Sequence, residues 1–157
     1  PADTQPAVWE RQPAIEKLVT ELVEKFHAHL AHAQIIVLGK PKASRAGGKV
    51  NVAKAKLASP AIRALLKDAS GADCHYLIEV GMNEWDLLSP RQKRACIDHE
   101  VHHFTGVEVD EQGRETWGLR RHDVEEFAAI VRRYGAWHAD LEVFVNEVRQ
   151  LKFPGME

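Results

Sequence analysis

From Pro13 onward, apolar residues return every three or four positions: Ile15, Leu18, Val19, Leu22, Val23, Phe26 and Leu30. That period predicts one amphipathic helix with its stripe turned to a core, and proline suits the first helical position. The next apolar run, "QIIVLGKP", is short and ends in Gly39 and Pro41, so it predicts a buried strand. "GKVNVAKAKL" alternates in its first half and predicts a second strand. "CHYLIEVGM" is rich in β-formers and predicts a third. Between the second and third, Ser59-Pro60 predicts the cap and opening of a short helix reaching about Asp68.

The second half of the chain reads differently. Ser89-Pro90 predicts an N-cap and first turn, with a helix running through Phe104 and stopping at Gly106. "VEVDEQGRETWGL" predicts a small hairpin or long loop turning near Gly113. A helix from about Asp123 carries Phe127, Ile130, Val131 and Tyr134 and ends at Gly135. A last helix holds Trp137, Leu141, Phe144, Val145, Val148 and Leu151. Residues 1–12, polar and proline-rich, read as a flexible arm, and 13–157 as a single domain. Strands gather early and helices late. The expected class is therefore α+β: a short mixed or antiparallel sheet packed on the helix from Pro90, with C-terminal helices.

Composition narrows the function classes. The chain has 157 residues, 45% of them apolar and 28% charged, with a net charge of -2, which argues against a globally basic nucleic-acid binder. Two cysteines, Cys74 and Cys96, make no disulfide framework. No stretch approaches the roughly 18 apolar residues of a membrane span. The opening "PADTQPAVWERQPAIEK" does not read as an export signal, so the expected location is the cytoplasm. One segment departs from the average: "GKPKASRAGGKVNVAKAK" carries Lys40, Lys42, Arg45, Lys49, Lys54 and Lys56 and no acid. It reads as a hairpin tip whose lysines guard a sheet edge, or as a contact for DNA or a nucleoprotein. Without interleaved aromatics it is no stacking platform for single strands.

The chemistry concentrates in "IDHEVHHFTG", residues 97–106. On a helix, His99 and His103 lie roughly 40° apart and one turn along, so both imidazoles can reach one tetrahedral zinc. Glu100 is displaced by roughly 100°, too far round to share the metal easily but placed to reach a water there. The pattern is H-E-x-x-H, whose mechanics are those of a zinc hydrolase: the cation acidifies water and the glutamate takes its proton. A strand directly before the helix strengthens the reading, since a strand edge can hold an extended peptide by backbone hydrogen bonds.

A catalytic zinc asks for a third protein ligand. Gly106 fits the metzincin pattern, but position 109 is Val, so that solution fails. The next histidine is His122, in "RRHDVEEFAAIVRRYG", expected at a helix start with Glu126 one turn on. His122 is the favoured third ligand, with Glu126 as the alternative.

"LSPRQKRACIDHEVHHF" followed by "RRHDVEEFAAIVRRYGAW" resembles the phage metallopeptidase family, found in phages, prophages and bacteria. The likeness spans most of the chain. It implies a small zincin-like fold of minimal gluzincin type and zinc peptidase activity. His99 and His103 then match the motif ligands, Glu100 the general base, and His122 the histidine opening the second block. In scale and ligand set the chain is also similar to SprT-type proteases, small zincins that act on DNA-bound proteins. The alternative to an enzyme is a zinc-holding regulatory module of phage origin that binds DNA or protein.

The remaining polar groups carry weaker expectations. Asp98 reads as an orienting acceptor or a surface group, and His102 as solvent-facing or supporting the ligands. Cys96 and Cys74 read as small buried hydrophobes. His27, His29 and His32 read as a solvated helix end. Tyr134 and His138 are candidates for polarising a reaction intermediate, with core packing favoured for Tyr134.

Overall fold

The computed structural model of the chain describes residues 8–151. Two compact units follow one another, the first ending at Arg120 and the second beginning at Arg121.

The first unit is built on β6 (Tyr76–Gly81), all six of whose residues are buried. It pairs in parallel with β2 (Ile35–Lys40) and antiparallel with β5 (Ala53–Leu57). A two-residue strand, β1 (Glu10–Arg11), closes the far side of β2, so the sheet is mixed and ordered β1-β2-β6-β5. This corrects the expectation of an arm through residue 12: Glu10 and Arg11 pair with Gly39 and Leu38, and the Gln12 amide donates to Val37 at 3.0 Å. The rest of that arm, residues 1–7, lies outside the described residues.

Alternation along β6 divides the core. Tyr76, Ile78 and Val80 share one cluster with Val37, with Ile15, Val19, Leu22 and Val23 of α1 (Pro13–Phe26), and with Ile97 and Val101 of α4 (Pro90–His102). Leu77 joins Ile36, Cys74 and Ala58 in a second cluster, against which Ile62 and Leu66 of α2 (Pro60–Ser70) pack. A strand buried on both faces reads as a continuous apolar run, which is how "YLIEV" reads apart from its acid. That acid, Glu79, is buried with Lys40 Nζ at 3.8 Å and Lys56 Nζ at 2.5 Å.

Three boundaries differ from the periodic pattern. The first helix stops at Phe26; His27 caps it, and a 3₁₀ turn, Ala28–Leu30, swings Leu30 into the core while Phe26 stays exposed. The predicted second strand is two: β4 (Lys49–Asn51) folds back on β3 (Ser44–Ala46), and β5 begins only after Val52. Gly47 and Gly48 supply φ of 56° and 78°, the paired positive angles of a tight hairpin turn. Phe104, expected to finish the helix from Pro90, instead opens β7 (Phe104–Val109), which pairs with β8 (Glu115–Leu119). The Tyr76 hydroxyl ties this hairpin to the sheet, donating to Gly118 O at 2.9 Å and accepting from the Gly106 amide at 3.1 Å.

A short helix, α3 (Met82–Trp85), leads toward Ser89, whose side chain caps α4 reciprocally with Gln92. The Ser59 hydroxyl accepts from the Ile62 amide and caps α2. In the second unit, α5 (Ala128–Tyr134) begins five residues later than the pattern from Asp123 suggests. Glu126 Oε1 accepts the Phe127 amide at 2.8 Å, a local bond that competes with helix continuation. Gly135 ends α5 at φ 67°, and α6 (Ala139–Gln150) follows with His138 as its cap. Among the described residues no helix is long and apolar enough to cross a membrane.

Arg63 of α2 donates through Nε and Nη2 to Asp73 at 3.0 and 2.7 Å, which holds the Asp73 carboxyl well below the usual carboxylate range. A carboxyl depressed in the folded state stabilises the fold above its unfolded pKa, and loses that contribution as pH falls. Urea denaturation from about pH 5 down to pH 2 should therefore show a steeper loss of stability for the wild type than for Asp73→Asn.

Candidate metal centre

Helix α4 presents two different faces. Ile97, Glu100 and Val101 are buried, while His99 is exposed and His103 half-buried. The His99 and His103 rings stand with centroids 5.1 Å apart and planes at 74°. The four-residue spacing puts both on one face of the helix.

The backbone that follows the β7–β8 hairpin fixes one ring. His103 Nδ1 lies 2.7 Å from Arg120 O, and the Arg120 amide donates to His103 O, also at 2.7 Å. A carbonyl only accepts, so Nδ1 carries the proton, and Nε2 is the nitrogen that could coordinate a cation. His122 comes two residues after Arg120. The ligand atoms of His99, His103 and His122 all lie within 4.8 Å of one another, so these three histidines can form a metal site. The donor set fits: imidazole suits zinc and its first-row neighbours, and three nitrogens on one ion leave a tetrahedral position open.

His122 thus joins the group, although not as a helix-opening residue, since residues 121–127 are not helical. Glu126, the alternative ligand, is not in this group; its Oε1 takes the Phe127 amide.

Glu100 points inward, where Oε2 accepts the Ala55 amide at 2.8 Å. Ala55, on the edge strand β5, lies opposite Ile78 of β6, so this bond ties the helix to one edge of the sheet. Burial raises the Glu100 carboxyl above its usual range, while the Ala55 amide and His103 pull it back down. A carboxylate so held is a better proton acceptor than a solvated one, and its hydrogen-bond partner fixes where it points.

Behind the helix, the structure corrects the reading of a solvated histidine end at His27, while His29 and His32 are exposed. His27 is buried, and its Nε2–H donates to Asp98 Oδ1 at 2.6 Å across 71 residues of sequence. The His102 ring lies edge-on to His27 at 5.7 Å, and His29 Nε2–H donates to Phe104 O at 3.1 Å. Asp98 is therefore an acceptor that joins the end of α1 to α4. Position gave no sign of this pair; the density of histidines in "FHAHLAH" was its only trace. Cys96 packs against the main core and burial pushes its thiol up to about 11, consistent with an inert hydrophobe. Cys74 is fully buried. Tyr134, expected in the core, is exposed, and His138 Nδ1 accepts the Asp140 amide at 3.3 Å. In the basic segment, Lys40 and Lys56 flank Glu79, and Lys42, Arg45, Lys49 and Lys54 stand outside that triad.

Compared with known proteins, residues 7–149 match the model of a family described as Putative phage metallopeptidase. No curated protein and no solved structure matches the chain.

The His27–Asp98 bond yields a direct test. Asp98→Ala leaves a buried imidazole N–H without its acceptor, so denaturant unfolding should show a loss of about 1–3 kcal/mol. Glu21→Ala, which removes an exposed partner of Arg94, should cost less than about 0.5 kcal/mol.

Proposed function

The chain belongs to the phage metallopeptidase family, and from that premise we propose that it is a zinc-dependent peptidase on a zincin-like scaffold. The observation that carries the reading is the grouping of the ligand atoms of His99, His103 and His122 within 4.8 Å of one another, with Glu100, the residue after His99 on α4, a buried carboxylate. Zinc held by these imidazoles would supply Lewis acidity, enough to bring the pKa of a water near neutrality and to polarise a carbonyl. Glu100 takes the proton from the attacking water and hands it to the departing amine. Its raised proton affinity suits both halves of that exchange. The edge of β5 beside Glu100 is the rail on which an extended peptide would lie, paired through backbone groups. The phage-infected or bacterial cytoplasm is the compartment we assign.

A second reading is favoured by the four cations of the hairpin segment that stand outside the Glu79 triad. On it, the chain holds zinc for stability and grips DNA or an acidic partner. Retention on DNA that falls steeply with salt, unaffected by loss of Glu100, would select it.

Two measurements test the enzyme. Zinc-loaded wild type should hydrolyse casein or a peptide library, and Glu100→Gln should lower the rate by about 100-fold or more while keeping the metal. Equal rates would remove Glu100 from the chemistry. By metal analysis, His122→Ala should lose zinc far more readily than Glu126→Ala; the opposite ranking would make this a glutamate-type site.

A further inference from the structure

One cavity of the first unit lies apart from the histidine cluster. It measures about 400 Å³, within the range of small-ligand sites. Leu57, Ala58, Pro60 and Trp117 supply its apolar wall, and Arg63 and Glu115 its polar rim. Arg63 is already engaged by Asp73 through two hydrogen bonds, so the rim offers no uncommitted cation, whereas Glu115 is exposed there.

The position of this cavity on the sheet edge suggests its use. The Ala55 amide points away from β6, because it meets Glu100. Outward groups recur every second residue along a strand, roughly 6.8 Å apart. Leu57, two residues on, has the same orientation, and it lines the cavity. A peptide extended along β5 has the same two-residue repeat. The side chain it sets against Leu57 therefore lies two positions from the residue beside Glu100.

Trp117 adds an independent observation. Its ring stacks on His75, which also lines the cavity, with centroids 3.8 Å apart and planes at 14°, which locks it in place. His75 is itself held, since its Nδ1 accepts the Gln34 amide at 2.9 Å. Trp117 is nine-tenths buried, and its Nε1–H is the one buried side-chain polar atom among the described residues without a hydrogen-bond partner. A rigid aromatic wall held in this way is a surface on which the ring of an aromatic side chain packs.

We propose that this cavity is a specificity subsite that receives a large apolar side chain, aromatic above all, of the peptide substrate, two residues from the residue beside Glu100. Glu115 at the rim turns away acidic side chains. The proposal rests on the peptidase reading for the peptide's path along β5.

The test uses zinc-loaded, ¹⁵N-labelled Glu100→Gln protein, titrated with peptides of one length carrying Phe, Ala or Asp at each position in turn. The Trp117 indole resonance, assigned by its loss in Trp117→Phe, is the reporter. Phe at one fixed position should move that resonance and bind at least about tenfold tighter than Ala, with Asp weakest. Leu57→Asp should abolish the preference. Wild type should cleave the same peptides at a constant distance from that Phe. Cleavage with no side-chain preference, or an indole that stays still while peptides bind, overturns the subsite. Phe peptides that move the indole yet are never cleaved overturn the peptidase reading and leave the subsite standing. A chain that neither binds nor cleaves any of them overturns both.

Discussion

A carboxylate on the inner face of a helix has lost its water, and an amide at the rim of a sheet has lost a neighbouring strand. In this chain each meets the other's need: Glu100 accepts from Ala55 at 2.8 Å. Either group left alone in a buried setting would be costly, since unpaired polar groups lose hydration without compensation. Joined, they fix the rotation of α4 against β5. That rotation turns Ile97 and Val101 into the core and leaves His99 and His103 on the outer side. The arrangement of the histidines is thus a consequence of where one acid can be satisfied.

What could be read from residues alone follows the range of each interaction. The pairing of His99 with His103 is local, set by helical spacing and by the cap at Ser89, and the structure places both as that spacing requires. His122 is singled out by the chemistry of ligands rather than by its surroundings; its ligand atom lies within 4.8 Å of those of His99 and His103, although the helix expected to begin there starts only at Ala128. The central strand was legible because apolar residues buried on both faces leave an unbroken run. Beyond local range the signal fails. The acceptor for His103 is a backbone carbonyl and the donor for Glu100 a backbone amide, and neither depends on which side chain the residue carries. His27 and Asp98 are 71 positions apart, and only the folded packing of α1 on α4 makes them partners.

Charge tells a similar story of local composition and distant neutralisation. The segment from Lys40 to Lys56 carries only basic charges in sequence. In the fold, β6 brings Glu79 between Lys40 and Lys56, and a buried acid needs such company. Part of what looks like an outward-facing patch is therefore internal accounting for one carboxylate. The cations beyond Glu79 sit on or beside a glycine-turned hairpin, where they also discourage another chain from pairing with its strands.

The bond between His103 Nδ1 and Arg120 O has a consequence for how a cation would be captured. Arg120 is covalently only two residues from His122, a reach of about 7 Å. The ring that would supply one donor is thereby pinned to main chain two residues before the histidine that would supply another. Chelation by separate loops would have to freeze both before the ion could be held, and that loss of freedom would weaken affinity. Here the Arg120 carbonyl already restricts one imidazole, so less of that freedom would remain to be lost if an ion bound.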